Sequence, residues 1–374
     1  MSKYACLNPI AKIGLDRFGA GFEMTEDAAA AELILVRSAD MHEMAISDEL
    51  LAVGRAGAGV NNIPLEAMAD KGVVVFNSPG ANANGVKELV LAGMLLAARD
   101  IVGGIGWVKA NASDENIGKS AEKAKKAYAG TEILGKTLGV IGLGAIGAMV
   151  ANSALALGMD VIGYDPFLTE AAAKRLDKAV KITENLDDIY AVSDYITIHV
   201  PATGDTKGMI NGEAIAKMKD GVIFLNFSRD ALIAEADMLA ALESGKVRKY
   251  VTDFATPGMA ACDKAIVLPH LGASTEESED NCAIMAVDEL KAFAENGSII
   301  NSVNFPRVEL PSLGAGKRVL ICTKGEAEIT GLGALVAQAT RGEYGYIVFD
   351  TDEAVDEAAI AALAGVTKVR VINA

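Results

Sequence analysis

Residues 137–147 read TLGVIGLGAIG, an apolar run that closes with the pattern G-x-G-x-x-G at Gly142, Gly144 and Gly147. The stretch that follows, AIGAMVANSALALG (145–158), has the composition of a helix. In such a unit the first glycine permits the turn, the second lets backbone N–H groups approach a pyrophosphate, and the third lets helix and strand pack closely. The phosphates would lie at the positive end of the helix. The stretch therefore predicts a dinucleotide-binding unit of a parallel α/β sheet.

Asp165 ends the next apolar run, DVIGYD (160–165). A carboxylate at this position accepts hydrogen bonds from the adenosine ribose hydroxyls and repels a 2′-phosphate, so the ligand expected is NAD rather than NADP. The alternative is that Asp165 merely starts the turn DPF (165–167).

Length and composition limit the class of protein. A chain of 374 residues, 51% of them hydrophobic, predicts two or three well-buried domains. The net charge of −16 argues against nucleic-acid or anionic-membrane partners, because phosphates would be repelled. The longest apolar run, residues 89–98, is about half the length needed to span a bilayer.

Cysteine usage suggests a reducing compartment. The four cysteines are scattered without C-x-x-C spacing, so neither a disulfide framework nor a zinc site is indicated, and a cytosolic location is expected. They are Cys6, Cys262, Cys282 and Cys322.

Further apolar runs alternate with helix-length segments. Because these runs are continuous rather than alternating, they predict strands covered on both faces, and hence a doubly wound parallel α/β sheet. The runs are ELILVRS (32–38), VVVFNSPG (73–80), MDVIGYD (159–165), YITIHVP (195–201), VIFLNFS (222–228), KYVTDF (249–254) and AIVLPH (265–270). Helices are expected near DELLAV (48–53), over 85–99 and over 275–297, and residues 112–130 are expected to form a surface connector. Residues 317–374 are expected to form a small separate module that reads strand, helix, strand, helix, strand.

Two polar side chains follow apolar strands where α/β enzymes place their chemistry. His270, in LPHLGAST, is the only good candidate for exchanging a proton with a hydroxyl at neutral pH. Arg229, directly after VIFLNFS, could grip a carboxylate and polarise the neighbouring carbonyl. Of the other histidines, His42 is expected to be an ordinary surface residue, and His199 to have a packing or adenine-side role.

These stretches together resemble the D-2-hydroxyacid dehydrogenases over nearly all of residues 30–306. The matching motifs are GKTLGVIGLGAIG, YDP, TIHVP, FLNFSRDALI, YVTDF and LPHLGAST. The N-terminal GRAGAGVNNIPLEAMADKGVVVFNSPGANANGVKELV narrows the resemblance to the branch that oxidises 3-phosphoglycerate to 3-phosphohydroxypyruvate, the first step of serine synthesis.

The resemblance implies a division of the chain. Residues 1–95 and 275–306 would form a flavodoxin-like substrate domain, and residues 96–274 a Rossmann-type NAD domain. Residues 315–374 resemble a trimmed ACT module, with three visible strands where that fold has four. This tail would regulate through serine or support a homodimer, and the second role is favoured.

The resemblance also implies roles for site residues. Arg229 would bind the substrate carboxylate and 2-oxygen, and His270 would take the hydroxyl proton. Asp253, in VTDF, would lie beside the nicotinamide. The remaining cofactor-lining residues would be Ala145, Ile146, His199, Pro201, Phe227, Ser228, Gly272 and Ala273. Those facing the substrate carboxylate would be Arg55, Gly57, Ala58 and Gly59.

One position departs from the family pattern. The family carries a glutamate before the proline of this segment, as partner of the histidine, whereas here Thr256 precedes Pro257. Asp253 or a glutamate of TEES (275–278) could substitute.

A phosphorylated substrate requires cations. Arg37, which ends an apolar run, is the best candidate, and Lys126 of the Lys125–Lys126 pair also falls where the family places basic residues. Lys87 and Arg99 are further candidates, and each lysine could equally be a solvated surface charge.

Two other functions stay open. The chain could act on an unphosphorylated acid such as hydroxypyruvate or glyoxylate, which would need fewer cations. Less favoured is a non-enzymatic NAD-sensing corepressor, because the Arg229–His270 pair is intact.

Overall fold

The computed structural model describes residues 1–374. The chain divides into two compact units, with boundaries after Asn82 and after Thr275. One unit combines Met1–Asn82 with Glu276–Ala374, and the other is Ala83–Thr275. We call them the first and the second unit.

The N-terminal part of the first unit is a five-stranded parallel sheet. Its strands are β1 (Ser2–Cys6), β2 (Phe22–Met24), β3 (Leu33–Val36), β4 (Ala52–Arg55) and β5 (Val74–Asn77), with helices α1 (Lys12–Leu15) and α2 (Leu65–Asp70). The strand order β2-β1-β3-β4-β5 is the flavodoxin-like order that was predicted. The helix expected near DELLAV was wrong, since this stretch leads into β4. Three of the four β4 residues are buried, and so short an apolar run carries no periodicity that separates strand from helix.

The second unit contains a seven-stranded parallel sheet, which confirms the prediction of a doubly wound fold. Its strands are β6 (Thr137–Ile141), β7 (Asp160–Tyr164), β8 (Lys181–Thr183), β9 (Tyr195–Ile198), β10 (Val222–Asn226), β11 (Val247–Thr252) and β12 (Ala265–Val267). The order is β12-β11-β10-β9-β6-β7-β8, so β6 lies between β7 and β9. The order of the strands across the sheet thus reverses at β6. Such a reversal creates a crevice at the carboxyl ends of the strands, and sheets of this kind bind their ligands there.

Helices cover the second sheet. They are α3 (Ala83–Ala98), α4 (Ile101–Ala110), α5 (Ile117–Ala124), α6 (Ala145–Ala156), α7 (Glu170–Ala173), α8 (Leu186–Val192), α9 (Gly212–Lys217), α10 (Glu235–Ser244) and α11 (Pro257–Ala260). None of the helices alone has the length and apolar composition needed to span a membrane; only α3 and α4 taken together, bent by 68° at their break, meet both criteria. The expected connector over 112–130 contains α5 and a short 3₁₀ turn, Lys125–Tyr128.

Helix α3 belongs to the second unit, whereas the sequence predicted that residues up to 95 lie in the first domain. The reason is close packing on the seven-stranded sheet. A Cβ added at Gly93 would lie 3.1 Å from the Phe227 ring and 3.2 Å from the Val251 side chain. The apolar character of α3 therefore serves the core of the second unit.

The C-terminal part of the first unit begins with the long helix α12 (Glu276–Asn296), as predicted. A four-stranded antiparallel sheet with the order β14-β15-β13-β16 follows, which we call the tail sheet. Its elements are β13 (Lys317–Lys324), β14 (Ala334–Arg341), β15 (Tyr344–Thr351), α13 (Glu357–Ala361) and β16 (Val366–Asn373). The helix expected in ITGLGALVAQA and the count of three strands were wrong. Gly342, at φ 60°, turns β14 back onto β15, and the pairing between them overrides the helical propensity of Ala, Leu and Gln.

The tail sheet is part of the first unit, whereas the sequence predicted a separate module. The last carbonyls of a helix lack partners within the helix, and side chains of the tail sheet donate to those of α12. Arg370 donates to the carbonyls of Phe293 and Ala294, and Arg318 Nη1 donates to the carbonyl of Asn296 at 3.2 Å. One hydrophobic core also joins α12, the five-stranded sheet and the tail sheet.

Candidate active site

The glycine turn after β6 leaves room for a ligand over its second glycine. Gly142 has φ 90°, and a Cβ there would lie 2.6 Å from the His199 carbonyl oxygen. A Cβ at Gly147 would lie 1.8 Å from the Gly142 oxygen, so the third glycine allows α6 to approach the turn. Around Gly144, by contrast, a Cβ would meet nothing within 4 Å, and no side chain caps the start of α6. Open space before uncapped N–H groups fits a pyrophosphate.

Asp165 lies against the same turn. Its Oδ2 accepts a hydrogen bond from Leu143 N at 2.9 Å, and its Oδ1 accepts one from Phe167 N at 2.9 Å. The carboxylate therefore starts the 165–167 turn and also lies beside the glycine turn. Each oxygen has a further lone pair for a ribose hydroxyl.

His199 follows β9, and its ring is suited to packing rather than proton transfer. Burial lowers the pKa of His199 to about 3, so the ring is neutral at physiological pH. Its Nε2 lies 2.9 Å from Thr197 Oγ1, while its Nδ1 is buried without a partner. Pro201, two residues further along, is exposed.

The three neighbouring strands β10, β11 and β12 end side by side, and each is followed by a candidate residue. Because parallel strands end at one edge of the sheet, Arg229 after β10, Asp253 after β11 and His270 after β12 come together there. The charges of His270 and Arg229 both act on the Asp253 carboxylate. We call this place the carboxyl edge of the second sheet. Pairing of the strands thus assembles residues that are up to 41 positions apart, from Arg229 to His270.

Asn226 shapes the turn that carries Arg229, a role that the sequence analysis missed. The buried Asn226 Nδ2 donates to the Arg229 carbonyl at 2.8 Å, and Asn226 Oδ1 accepts from Ser228 N at 3.1 Å. Ser228 Oγ in turn donates to the Ile198 carbonyl at 2.7 Å. Phe227 is buried under α3, and the Arg229 side chain is exposed. The only signal in the sequence was an amide ending an otherwise apolar strand.

Asp253 is 1% exposed, and its two carboxylate oxygens differ. Oδ2 accepts a hydrogen bond from Gly272 N at 2.9 Å, whereas Oδ1 is buried and has no partner. Burial raises the pKa of Asp253, against the opposing effects of the Gly272 N–H and of the charges on His270 and Arg229. A buried carboxylate near an arginine and a histidine is typical of sites that handle protons.

His270 has a backbone conformation that side chains rarely adopt, with φ 35°. Its N–H donates to the Asp253 carbonyl at 2.8 Å, and its exposed ring lies 4.9 Å from the Phe254 ring between centroids. Strain of this kind persists only where the surroundings hold it, and it clusters at functional sites. Phe254 is a second contact that the sequence analysis missed.

Thr256, at the position of the missing family glutamate, has structural contacts. Its Oγ1 donates to Glu235 Oε1 at 2.8 Å and caps α11 by accepting from Met259 N at 3.2 Å. Gly272 is buried and Ala273 partly buried in the loop after His270.

In the first unit, the ends of β3 and β4 bring Arg37 and Arg55 to one edge of the five-stranded sheet. The charges of both act on the Cys282 thiol of α12. A Cβ at Gly57, which has φ 144°, would lie 1.7 Å from Arg55 Nη1, so this glycine makes room for the guanidinium. Arg37 Nη2 pairs with Glu279 Oε1 at 2.6 Å.

The other candidates in the loop after β4 and among the lysines have few contacts. The Ala58 carbonyl accepts from Asn77 Nδ2 at 2.7 Å, and the neighbouring Gly59 is partly exposed. Lys126 is exposed on the 3₁₀ turn of the second unit, and Lys125 pairs with Glu122 at 2.6 Å. Lys87 Nζ lies 3.5 Å from Glu88 Oε1.

Comparisons with known proteins identify the family that the chain resembles. Residues 91–272 match the family model of the D-isomer specific 2-hydroxyacid dehydrogenase, NAD binding domain. A D-3-phosphoglycerate dehydrogenase of Methanocaldococcus jannaschii is 36% identical over 86% of this chain, and the chain spans 59% of that protein's length. A hydroxypyruvate reductase of Thermotoga maritima is 38% identical over 74% of this chain and 88% of its own length.

A solved structure of NAD⁺-bound 3-phosphoglycerate dehydrogenase from Entamoeba histolytica is 26% identical, with a TM-score of 0.63. The similarity covers 81% of this chain and 98% of that one. The second unit therefore contains the NAD-binding domain that the glycine turn predicted.

Proposed function

Because the chain belongs to the D-isomer-specific 2-hydroxyacid dehydrogenase family, we propose that it oxidises 3-phosphoglycerate to 3-phosphohydroxypyruvate with NAD, the first step of serine synthesis. The observation that carries this proposal is the convergence of Arg229, Asp253 and His270 at one edge of the second sheet. An exposed guanidinium, a buried carboxylate and an imidazole are what oxidation of a hydroxy acid requires.

Three glycines and the start of α6 would hold the pyrophosphate of NAD, and Asp165 its adenosine ribose. A carboxylate in place of a cation beside the ribose opposes a 2′-phosphate and favours NAD over NADP, and two backbone N–H groups hold that of Asp165 in place. We assign the cofactor-lining roles given above on the same basis. Bound NAD supplies the acceptor for the hydride that leaves C2.

The chain's own residues would handle the substrate and its proton. The Arg229 guanidinium would hold the carboxylate and draw electron density from the 2-oxygen. As the C2–H electron pair leaves as hydride, the C2–O double bond forms and the hydroxyl proton passes to the His270 imidazole. In the first unit, Arg55 and residues 57–59 are the proposed contacts to the substrate carboxylate.

Arg37 is the proposed phosphate ligand, and its pairing with Glu279 bears on the choice of substrate. The Arg37 guanidinium pairs with Glu279 Oε1 at 2.6 Å. It would have to release this carboxylate in order to bind a substrate phosphate. A second candidate function is therefore reduction of hydroxypyruvate or glyoxylate. The similarity to the Thermotoga hydroxypyruvate reductase, of which the chain spans 88%, favours that alternative.

The deciding experiment measures NADH and NADPH formation or consumption by the purified chain. Substrates are 3-phosphoglycerate, glycerate and lactate in one direction, and hydroxypyruvate and glyoxylate in the other. We expect selective turnover of 3-phosphoglycerate with NAD. Turnover of unphosphorylated acids alone would reject the phosphate-binding role of Arg37. No turnover in either direction would favour the non-enzymatic corepressor function instead.

We also propose that the active protein is a homodimer in the cytosol. Val102, Ile105 and Val108 lie on one face of α4 and are 47–51% exposed, beside an apolar groove of about 530 Å³. In a chain of net charge −16, a helix whose only charged residue is Lys109 is a surface on which two copies can meet without repulsion. Ile105→Lys should convert a dimer to a monomer in light scattering, while Val192→Lys, on another exposed helix, should not.

A further inference from the structure

The carboxylate of Asp253 lacks one hydrogen bond, and the imidazole that follows β12 lacks a carboxylate at position 256. We propose that Asp253 is the positioning residue of His270, and that its negative charge stabilises the imidazolium formed when the ring takes the substrate's hydroxyl proton. This inference rests on the proposed function and assigns to one buried residue the work of the missing glutamate.

Asp253 holds the segment that carries the ring at two points. Its carbonyl accepts the N–H of His270 at 2.8 Å, and its Oδ2 accepts the N–H of Gly272 at 2.9 Å. These two bonds span the residue whose φ is 35° and oppose its return to ordinary backbone angles. The Phe254 ring packs 4.9 Å from the imidazole. The backbone that carries the imidazole is therefore tied to Asp253, and the ring itself packs against Phe254.

The second carboxylate oxygen of Asp253, Oδ1, is the one available for a further interaction. Oδ1 is buried without a partner, and leaving a buried polar atom unpaired lowers the stability of the fold. A compensating interaction in the working enzyme explains why the fold keeps it. The charged groups acting on this carboxylate are His270 and Arg229, both of them cationic or able to become so. A proton arriving on His270 adds a second positive charge, after that of Arg229, that acts on the Asp253 carboxylate.

The carboxylate that contacts Thr256, that of Glu235, is already engaged. Glu235 Oε1 accepts the Thr256 hydroxyl at 2.8 Å, so the Thr256–Glu235 pair secures the start of α11. Thr256 also caps that helix, and its hydroxyl is thereby used twice. Asp253 alone combines burial, an unpaired oxygen and an electrostatic interaction with His270.

The test is a titration of the His270 ring by NMR in a His42→Asn background, with and without Asp253→Asn. Only three histidines are present, and the pKa of His199, about 3, keeps its ring from titrating in the range used. Asparagine retains an oxygen for the Gly272 N–H but carries no charge. We expect Asp253→Asn to lower the midpoint of the ring titration by about one pH unit. The pH profile of 2-oxo-acid reduction should move by the same amount.

Glu235→Gln is the matched control and should leave the midpoint in place. An unchanged midpoint in Asp253→Asn would overturn the proposal, as would a weaker Kd for NADH with an unmoved pH profile, which would assign Asp253 to the cofactor alone. If the variant does not fold, the wild-type protein decides: the Asp253 carboxyl ¹³C signal must shift with the midpoint of the His270 ring, and independent titrations would reject the pairing. Neither NMR measurement needs a turning-over substrate, so failure of the proposed function would be seen separately.

Discussion

The tail sheet and the carboxyl edge of the second sheet each bury a charged side chain, but they treat it differently. Arg318 is 1% exposed and bonds to Asp350 and to the carbonyls of Asn296 and Pro311. Asp253, also 1% exposed, keeps one oxygen without a partner. A buried charge whose hydrogen bonds are all made supports the architecture. A buried charge with an unpaired atom lowers the stability of the fold, and such groups are retained where chemistry needs them. Variants on both sides of this contrast should therefore separate activity from stability.

The largest effect is expected at the carboxyl edge. His270→Asn should reduce kcat by about 10²–10⁴-fold, the range that a general acid or base supplies. Asparagine is the suitable replacement because it tolerates the left-handed φ of 35°, so the temperature of unfolding should stay unchanged. Steady-state rates and thermal unfolding check both parts, with His42→Asn as the exposed control. A loss of stability that accompanies the loss of rate would contradict the contrast.

Arg318→Met should show the opposite pattern. It leaves the Asp350 carboxylate and the carbonyls of Asn296 and Pro311 without their donor, and we expect the free energy of unfolding to fall by about 3 kcal/mol. The rate per folded molecule should be unchanged, because the tail sheet carries none of the proposed site residues. Urea unfolding measures the change. Arg307→Met is the control, since its pair with Glu309 is more than 60% exposed and should contribute nothing measurable. Equal effects of the two variants would refute the architectural role.

The same contrast explains what could be predicted from the sequence. The glycine turn, the parallel strands and α12 have strong local patterns, and the residues that follow β10, β11 and β12 could be placed because parallel strands end together. The tail could not be placed in this way. Arg370, on β16, donates to the Phe293 carbonyl near the end of α12, although the two residues are 77 positions apart. No local sequence pattern predicts a contact over such a separation.

Short-range misses have a related cause. β4 and β14 are strands because their neighbours pair with them, although their own residues do not distinguish strand from helix. Asn226 and Phe254 support the site through contacts that appear only when the strands lie side by side. The sequence named the residues of the carboxyl edge, while the structure adds those that hold them in place.

Glu289 of α12 is an apparent exception to the contrast, since it lies in the first unit and its Oε2 is buried without a partner. Burial raises the pKa of Glu289 to about 8, against a hydrogen bond from Asn301 Nδ2. The folded state thus keeps the Glu289 carboxyl protonated at pH values at which the unfolded chain, in which this group has its ordinary pKa of 4.5, has released the proton. Stability contributed by this group is complete below that value and is lost as the pH rises towards 8, by at most about 1.4 kcal/mol per unit.

Glu289→Gln should remove that part of the pH dependence. We expect equal stability of the variant and the wild type near pH 4.5 and a more stable variant at pH 8, because the amide stays neutral. Urea unfolding across this range measures the difference, with the exposed Glu243→Gln as control. A difference that does not grow with pH would show that Glu289 is ionised in the fold, and the unpaired oxygen would then need a functional explanation.

The smallest effect is expected at Arg37, where pairing and chemistry compete for one side chain. Its bond to Glu279 is more than 40% exposed at both ends, and such pairs contribute at most about 1 kcal/mol. Glu279→Gln should therefore raise kcat/KM for 3-phosphoglycerate by up to about fivefold, by freeing the guanidinium for a phosphate. Glycerate should be unaffected, and so should Glu277→Gln on the same turn. An equal gain with both substrates would mean that Glu279 repels the substrate carboxylate instead, and Arg37 would lose its role as the phosphate ligand.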